Sequence, residues 1–199
     1  MKVLVTGGNR GLGKHLVEVF NGVSVSRTDG FDITKDYTAI ANMSLEYDVF
    51  INNAFDGPPQ MDWANFGQVH VLGAVYDLWS KNNKAGHIFN IGSVGEKTIV
   101  AREPEFETYR VAKAALAHAS KQCTASFRAN KVPFKTTLIT LDRLDTDLSR
   151  SRSTWTGNGL QLSDISNFVN YATQSVNSNT CIEEITFYCN LRYEQNNTD

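Results

Sequence analysis

Apolar and polar positions along this chain change period repeatedly, dividing it into short strands and longer helices. Lys2–Thr6 carries an apolar run, Val3-Leu4-Val5, that breaks into glycines at Gly7 and resumes as an amphipathic stretch to Phe20. That is the pattern of strand, tight turn and helix. Val23–Ser26 reads as a second strand, a short helix is expected near Lys35–Met43, and Asp48–Ile51 reads as a third, buried strand. From Asp62 to Lys81 the positions Trp63, Phe66, Val69, Leu72, Val75, Tyr76 and Trp79 recur at helical spacing, with Asp62 as N-cap. His87–Ile91 is a fourth strand, Glu107–Ala129 a long helix and Phe134–Leu141 a fifth strand. After a loop to Leu162, Ser163 is expected to cap a helix to Val176, and Ile185–Tyr188 reads as a last strand. Strands separated by helices imply parallel pairing with right-handed crossovers.

Composition narrows the class. A chain of 199 residues has the size of one domain, and such a chain buries about 70% of its unfolded surface. The expectation is a single domain over residues 1–199, with a frayed tail at 194–199. A net charge of −2 excludes the basic footprint of a nucleic-acid or anionic-membrane binder. The three cysteines, Cys123, Cys181 and Cys189, are odd in number and lack C-x-x-C spacing, so reduced thiols are expected. With a strand at Lys2 in place of a signal peptide, and no apolar run long enough for a span, the expected location is cytoplasmic.

The glycine turn brings in chemistry. Glycines let a backbone approach a phosphate, and the helix that follows offers unpaired N–H groups and its positive dipole end. Neither G-x-G-x-x-G nor the P-loop fits, since Gly13 is followed by Lys14-His15; the spacing is T-G-x-x-x-G-x-G on Thr6, Gly7, Gly11 and Gly13. Asn9, Arg10 and Leu12 complete this loop. An NAD site usually carries an acid about twenty residues past the first glycine. Here Ser26 and Arg27 stand at the end of the second strand. Arg27 and Arg10 can bind a 2′-phosphate, which favours NADP(H) over NAD(H).

Later in the chain, Tyr109 and Lys113 stand four residues apart on one face of the expected helix. A tyrosine of pKa about 10 must drop by about three units, roughly 4 kcal/mol, to exchange protons at pH 7. One ammonium at about 4 Å in an effective dielectric of about 20 supplies an amount of that order.

The glycine spacing, Asp32-Ile33, Asn52-Asn53-Ala54, Asn90–Ser93 and Tyr109/Lys113 occur in the order seen in the short-chain dehydrogenase/reductase family, which this chain resembles from Val3 to about Tyr188. The resemblance implies a Rossmann-like α/β fold, a doubly wound parallel sheet in one three-layer domain. It implies an NADP(H)-dependent oxidoreductase that transfers hydride between nicotinamide and a small carbonyl or alcohol substrate, without a metal. Ser93 would orient the carbonyl, Tyr109 would exchange its proton, and Lys113 would tune Tyr109 and bind the nicotinamide ribose. Asp32 and Ile33 would contact adenine, with Asn53, Ala54 and Thr146 also at the cofactor. A homodimer or homotetramer would pair through the two long helices, where Trp63, Trp79 and Phe127 belong to the interface or the core.

The chain also departs from that pattern. Phe55 replaces a glycine, His70 stands where the family's Asn holds a water, and Leu141-Asp142 replaces Pro-Gly. Sixteen residues separate Ser93 from Tyr109, read as a small insertion over Glu96–Glu105. The substrate loop, about 142–162, carries Arg150, Arg152 and Trp155, a mobile or solvated lid or a contact for an anionic or planar substrate. These departures motivate the alternative of a degenerate nucleotide-binding sensor or scaffold.

Overall fold

The computed structural model describes residues 1–55, 66–97, 104–151, 155 and 157–190, the side chains of 104–106 excepted. Six strands form one sheet: β1 (Val3–Thr6), β2 (Val23–Val25), β3 (Val49–Asn52), β4 (Gly86–Ile91), β5 (Phe134–Leu141) and β6 (Glu184–Phe187). Their order is β2-β1-β3-β4-β5-β6, and every pairing is parallel. Helices α1 (Gly11–Phe20), α2 (Tyr37–Ser44), α3 (Gly67–Lys81), α4 (Pro104–Arg128), α5 (Asp147–Arg150) and α6 (Leu162–Gln174) complete it, with 3-10 turns at Arg27–Asp29 and Val94–Lys97.

Side chains alternate across each strand, and the alternation builds two cores. Val3, Val5, Val49, Ile51, Phe89 and Ile139 meet Leu12, Leu16, Ile165 and Val169 of α1 and α6. Leu4, Phe50, Ile88 and Phe134 meet Ile40, Val71, Val75, Trp79 and Leu116 of α2, α3 and α4. β1 and β3, buried along their whole length, are apolar up to their last residue, as expected where both faces are covered, whereas the outer strands β2 and β6 alternate apolar and polar residues. The chain steps outward from β1 to β2, then returns past β1 to β3. That reversal leaves a crevice at the carboxyl ends of β1 and β3, where ligands of open α/β sheets bind.

β5 matches its expected span, and the other elements agree within a few residues. The second helix starts at Tyr37 because Asp32 first accepts the amides of Lys35 and Asp36 in a turn. Ser163 is not the cap of α6: the helix begins at Leu162 behind Gln161, which makes no side-chain capping bond. The loop after β5 contains α5, capped by Thr146 through the Ser149 amide. Asp62, Trp63, Arg152 and the tail 194–199 lie outside the described residues. Among those described, no helix is long and apolar enough to cross a membrane.

Trp79 is fully buried and anchors the α2–α4 side. Its indole N–H donates to Ser44 Oγ at 2.8 Å, and its ring meets Phe134 edge-on, centroids 5.6 Å apart. It therefore belongs to the core, not to an interface. Trp79→Ala is expected to destabilise the fold by about 3–5 kcal/mol, measured by urea unfolding.

Candidate active site

The first strand ends in a tightly packed glycine turn. A Cβ at position 13 would collide with the Gly7 carbonyl oxygen, and it would meet Asn53 Nδ2 at 2.7 Å. Gly7 has φ +69°, and a Cβ there would stand 3.0 Å from Ala54. The close approach is held by Thr6, whose Oγ1 accepts the backbone N–H groups of Asn53 and Ala54 at 2.9 Å each. Asn53 Nδ2 donates to the Thr6 and Gly7 carbonyl oxygens at 3.0 and 3.4 Å. So Gly7, Gly13, Asn53 and Ala54 form one unit, with Leu12 buried beneath it. Gly11, at φ +51°, completes the cradle; a Cβ there would lie 3.6 Å from Thr146 Cγ2, which brings Thr146 to the same place.

Beside the cradle a polar patch sits at the end of β2. Asn9 Nδ2 donates to Ser26 Oγ at 2.7 Å and to Thr28 Oγ1, while Ser24 Oγ donates to Asn9 Oδ1 at 2.7 Å. Asp29, which the sequence reading did not single out, joins them. Ser26 and Ser24 donate to its carboxylate at 2.7 and 3.0 Å. Those bonds, Ser26's foremost, with one from Asn9, hold its carboxyl below the usual range. Arg10 and Arg27 are exposed at the two borders of the patch. Asp32 is engaged in its own turn, accepting Thr34 N–H and Oγ1–H at 2.9 and 2.8 Å. These bonds, with Arg27 and Lys35 nearby, lower its pKa. Ile33 is buried, its side chain directly under Gly67.

The third group stands at the end of β4. The Gly95 amide donates to Ser93 Oγ at 3.2 Å. A Cβ on Gly95 would lie 3.4 Å from Ser93 Oγ and 3.5 Å from Tyr109 Cε1, so the turn at Val94–Lys97 brings Ser93 and Tyr109 to one point. Lys113, one helical turn past Tyr109, is 3% exposed. Its Nζ donates to Gln68 Oε1 and the Ile91 carbonyl oxygen, both at 2.8 Å, and lies 5.8 Å from the Tyr109 ring centre. Both acceptors are neutral. Burial pushes the lysine down to about 7, with Glu96 opposing the shift.

Phe55 joins this group rather than turning away from it. Its ring meets Tyr109 edge-on at 4.8 Å, and Lys113 Nζ lies 5.1 Å from its centre. His70 does not reach the lysine: it is exposed on α3 and tilts against Tyr37 at 5.7 Å. The reason is helical phase, since two residues on a helix are about 200° apart. Gln68, buried two positions earlier, takes that place and is itself held by its Nε2 donating to the Asn52 carbonyl oxygen at 3.0 Å. Asn52 Nδ2 in turn donates to Asn90 Oδ1 at 3.0 Å, and Asn90 Nδ2 to Ser120 Oγ at 3.1 Å. A polar residue on the sheet-facing stripe of the apolar α3 was the signal that could have found Gln68.

In the loop after β5, Arg150 Nε donates to Asp145 Oδ1 at 2.6 Å, so it is engaged within the loop. Leu144 and Leu160 pair as an isolated parallel bridge across the base of that loop. Among the described residues, no group of three His, Cys, Asp or Glu could hold a metal ion.

No protein-family model matches the sequence, nor does any curated protein. Solved structures do resemble it. A short-chain dehydrogenase from Burkholderia cenocepacia in complex with NADP matches with a TM-score of 0.70 at 19% identity, over 93% of this chain and 86% of the other. A betaketoacyl-[ACP] reductase from Bacteroides thetaiotaomicron matches at 0.71 and 17%, over 95% and 97%. A 3-alpha-hydroxysteroid dehydrogenase from a Pseudomonas species, complexed with NADH, matches at 0.70 and 13%, over 94% and 95%. The chain therefore has the short-chain dehydrogenase/reductase fold.

Burial of Lys113 gives stability a definite pH dependence. The unfolded chain keeps this proton to about pH 10.4, while the folded protein releases it above about 7. Between those values the unfolded state binds more protons, so stability rises with pH, by on the order of 5 kcal/mol over the whole window. Urea unfolding from pH 7 to 10 should show this gain in the wild type relative to Lys113→Met; a difference independent of pH would contradict it.

Proposed function

We propose that the chain is an oxidoreductase that uses NADP(H) to interconvert a carbonyl compound and an alcohol. The observation that carries the reading is convergence. The glycine cradle with Thr146, and the group of Ser93, Tyr109 and Lys113, both stand at the carboxyl ends of the central strands. The cradle suits a pyrophosphate, because Gly13 admits no Cβ, Gly7 and Gly11 hold positive φ, and it opens on the first turn of α1. Gly7, Asn9, Arg10, Gly11, Leu12, Gly13, Ser26, Arg27, Asp32, Ile33, Asn53, Ala54 and Thr146 would hold the dinucleotide, with Tyr109 and Lys113 at its nicotinamide ribose. The dinucleotide supplies or accepts the hydride.

Each residue then has a role of its own. Ser93, its oxygen already accepting the Gly95 amide, directs its O–H to the substrate oxygen. Tyr109 gives or takes the proton at that oxygen. Lys113 stabilises the phenolate form of Tyr109 in proportion to its own positive charge. Arg10 and Arg27 support NADP(H), while the Asp29 carboxylate opposes a 2′-phosphate by like charge. A pair of copies joined through α3 and α4 is the oligomer expected of this fold.

A second reading rests on Phe55. Its ring lies against Tyr109 and Lys113, which favours a binder that has given up turnover. Calorimetric titration with NADPH and with NADH separates the readings when followed by a screen of carbonyl compounds. Micromolar NADPH binding, at least about tenfold tighter than NADH, with reduction of one or more carbonyls, supports the enzyme. Binding without turnover supports the sensor or scaffold, and binding of neither sinks both. Tyr109→Phe should lower turnover by about 10²–10⁴-fold with cofactor affinity little changed. Asp29→Asn should tighten NADPH about tenfold and leave NADH nearly unchanged.

A further inference from the structure

Lys113 is a buried cation whose two hydrogen-bond acceptors are both neutral. Its surroundings come from five elements: Gln68 on α3, the Ile91 carbonyl on β4, Phe55 after β3, Tyr109 on its own helix, and the 3-10 turn Val94–Lys97. Only the last of these brings a carboxylate, that of Glu96. Burying an ammonium without an opposite charge is strongly unfavourable, so the position of that carboxylate matters.

Glu96 has the complementary defect. Its Oε2 is buried and has no hydrogen-bond partner among the described residues. The turn that carries it is fixed on two sides: the Glu96 amide donates to the Ser93 carbonyl oxygen at 3.0 Å, and a Cβ on Gly95 would touch Tyr109 and Arg110. The neighbouring cations are engaged with another acid. Lys97 Nζ meets Glu184 Oε1 at 3.2 Å, and Lys121 Nζ, two turns past Lys113 on α4, meets Glu184 Oε2 at 2.8 Å. Thr140 also donates to Glu184 Oε1, at 3.1 Å. Glu184 thus takes up the surface lysines, and the buried Glu96 Oε2 is left unbonded in the turn beside Tyr109, one helical turn before Lys113.

We propose that Glu96 is the counter-ion of Lys113, a positioning residue that keeps the lysine protonated behind Tyr109 and joins it to the Glu184, Lys97 and Lys121 cluster at the surface. The charged groups around Glu96 act in both directions. On balance its pKa is raised, by burial first and then Glu184, against Lys97, Lys121 and, least, Lys113. Seen from Lys113, Glu96 is the charge that opposes the effect of burial, so the two groups are expected to titrate as a coupled pair.

The proposal takes from the functional reading only that Lys113 serves Tyr109, and its test needs neither cofactor nor substrate. In protein labelled with ¹³C and ¹⁵N at lysine and glutamate, the Lys113 side-chain resonance is assigned by its loss in Lys113→Met and followed by NMR against pH. In the native protein the Glu96 carboxyl carbon should show a step at the Lys113 midpoint. Glu96→Gln should lower that midpoint by about one pH unit, whereas Glu96→Asp, which keeps the charge, should leave it within about 0.3 unit of native. Glu184→Gln should not lower it, because removing that acid favours the ionised form of Glu96. An unchanged midpoint in Glu96→Gln, a Glu96 carbon that ignores Lys113, or an equal drop in Glu184→Gln would each overturn the proposal. If Glu96→Gln does not fold, the native-protein step alone decides. Failure of NADPH binding, by contrast, would remove the enzyme reading and leave this titration as it is.

Discussion

The close approach of α1 to the end of β1 is the contact on which the site depends. Gly13 lies directly on the Gly7 carbonyl, and Thr6 ties that turn to Asn53 and Ala54 at the end of β3. The same contact sets the start of α1, and with it the direction in which the free amides of the first turn point. The same tie draws Asn53 and Ala54, after β3, toward the turn. Phe55 is the next residue, so its position over Tyr109 follows from the tie at Ala54. A binding cradle and the aromatic neighbour of the proposed proton donor are thus parts of one arrangement.

Much of the fold was legible in the chain. Strands such as Val3–Thr6 and Val49–Asn52 are apolar runs that helices bury on both faces, and such runs stand out in a sequence. The glycine loop was equally readable, because Gly13 meets a steric demand and Gly7 and Gly11 a positive φ, both of which favour glycine. Less legible were features that depend on neighbours distant in sequence. Ser163 looked like a cap, yet α6 begins one residue earlier, and α5 is too short to leave a periodic signal.

The site was read in part. Ser93, Tyr109 and Lys113 are gathered around one turn, and Thr146 reaches Gly11. His70 fits the motif by spacing, but helical phase turns it to the surface beside Tyr37, and Gln68 lies on the side of α3 that faces the sheet. Asp29 and Glu96 were not foreseen. Each sits in a short 3-10 turn, where residue spacing does not tell which way a side chain points, and each acquires its significance from partners on other elements. Asp29 does so through Asn9 and Ser24, Glu96 through groups on α4 and β6.

The two outer strands are short: β2 has three residues and β6 four. An open sheet edge is a template for another chain's backbone, and a short edge offers few rungs. On β6, moreover, Glu184 draws Lys97 and Lys121 to that margin, a fringe of hydrated charges that a docking strand would have to displace. These edges are thereby poor templates for sideways growth into fibrils.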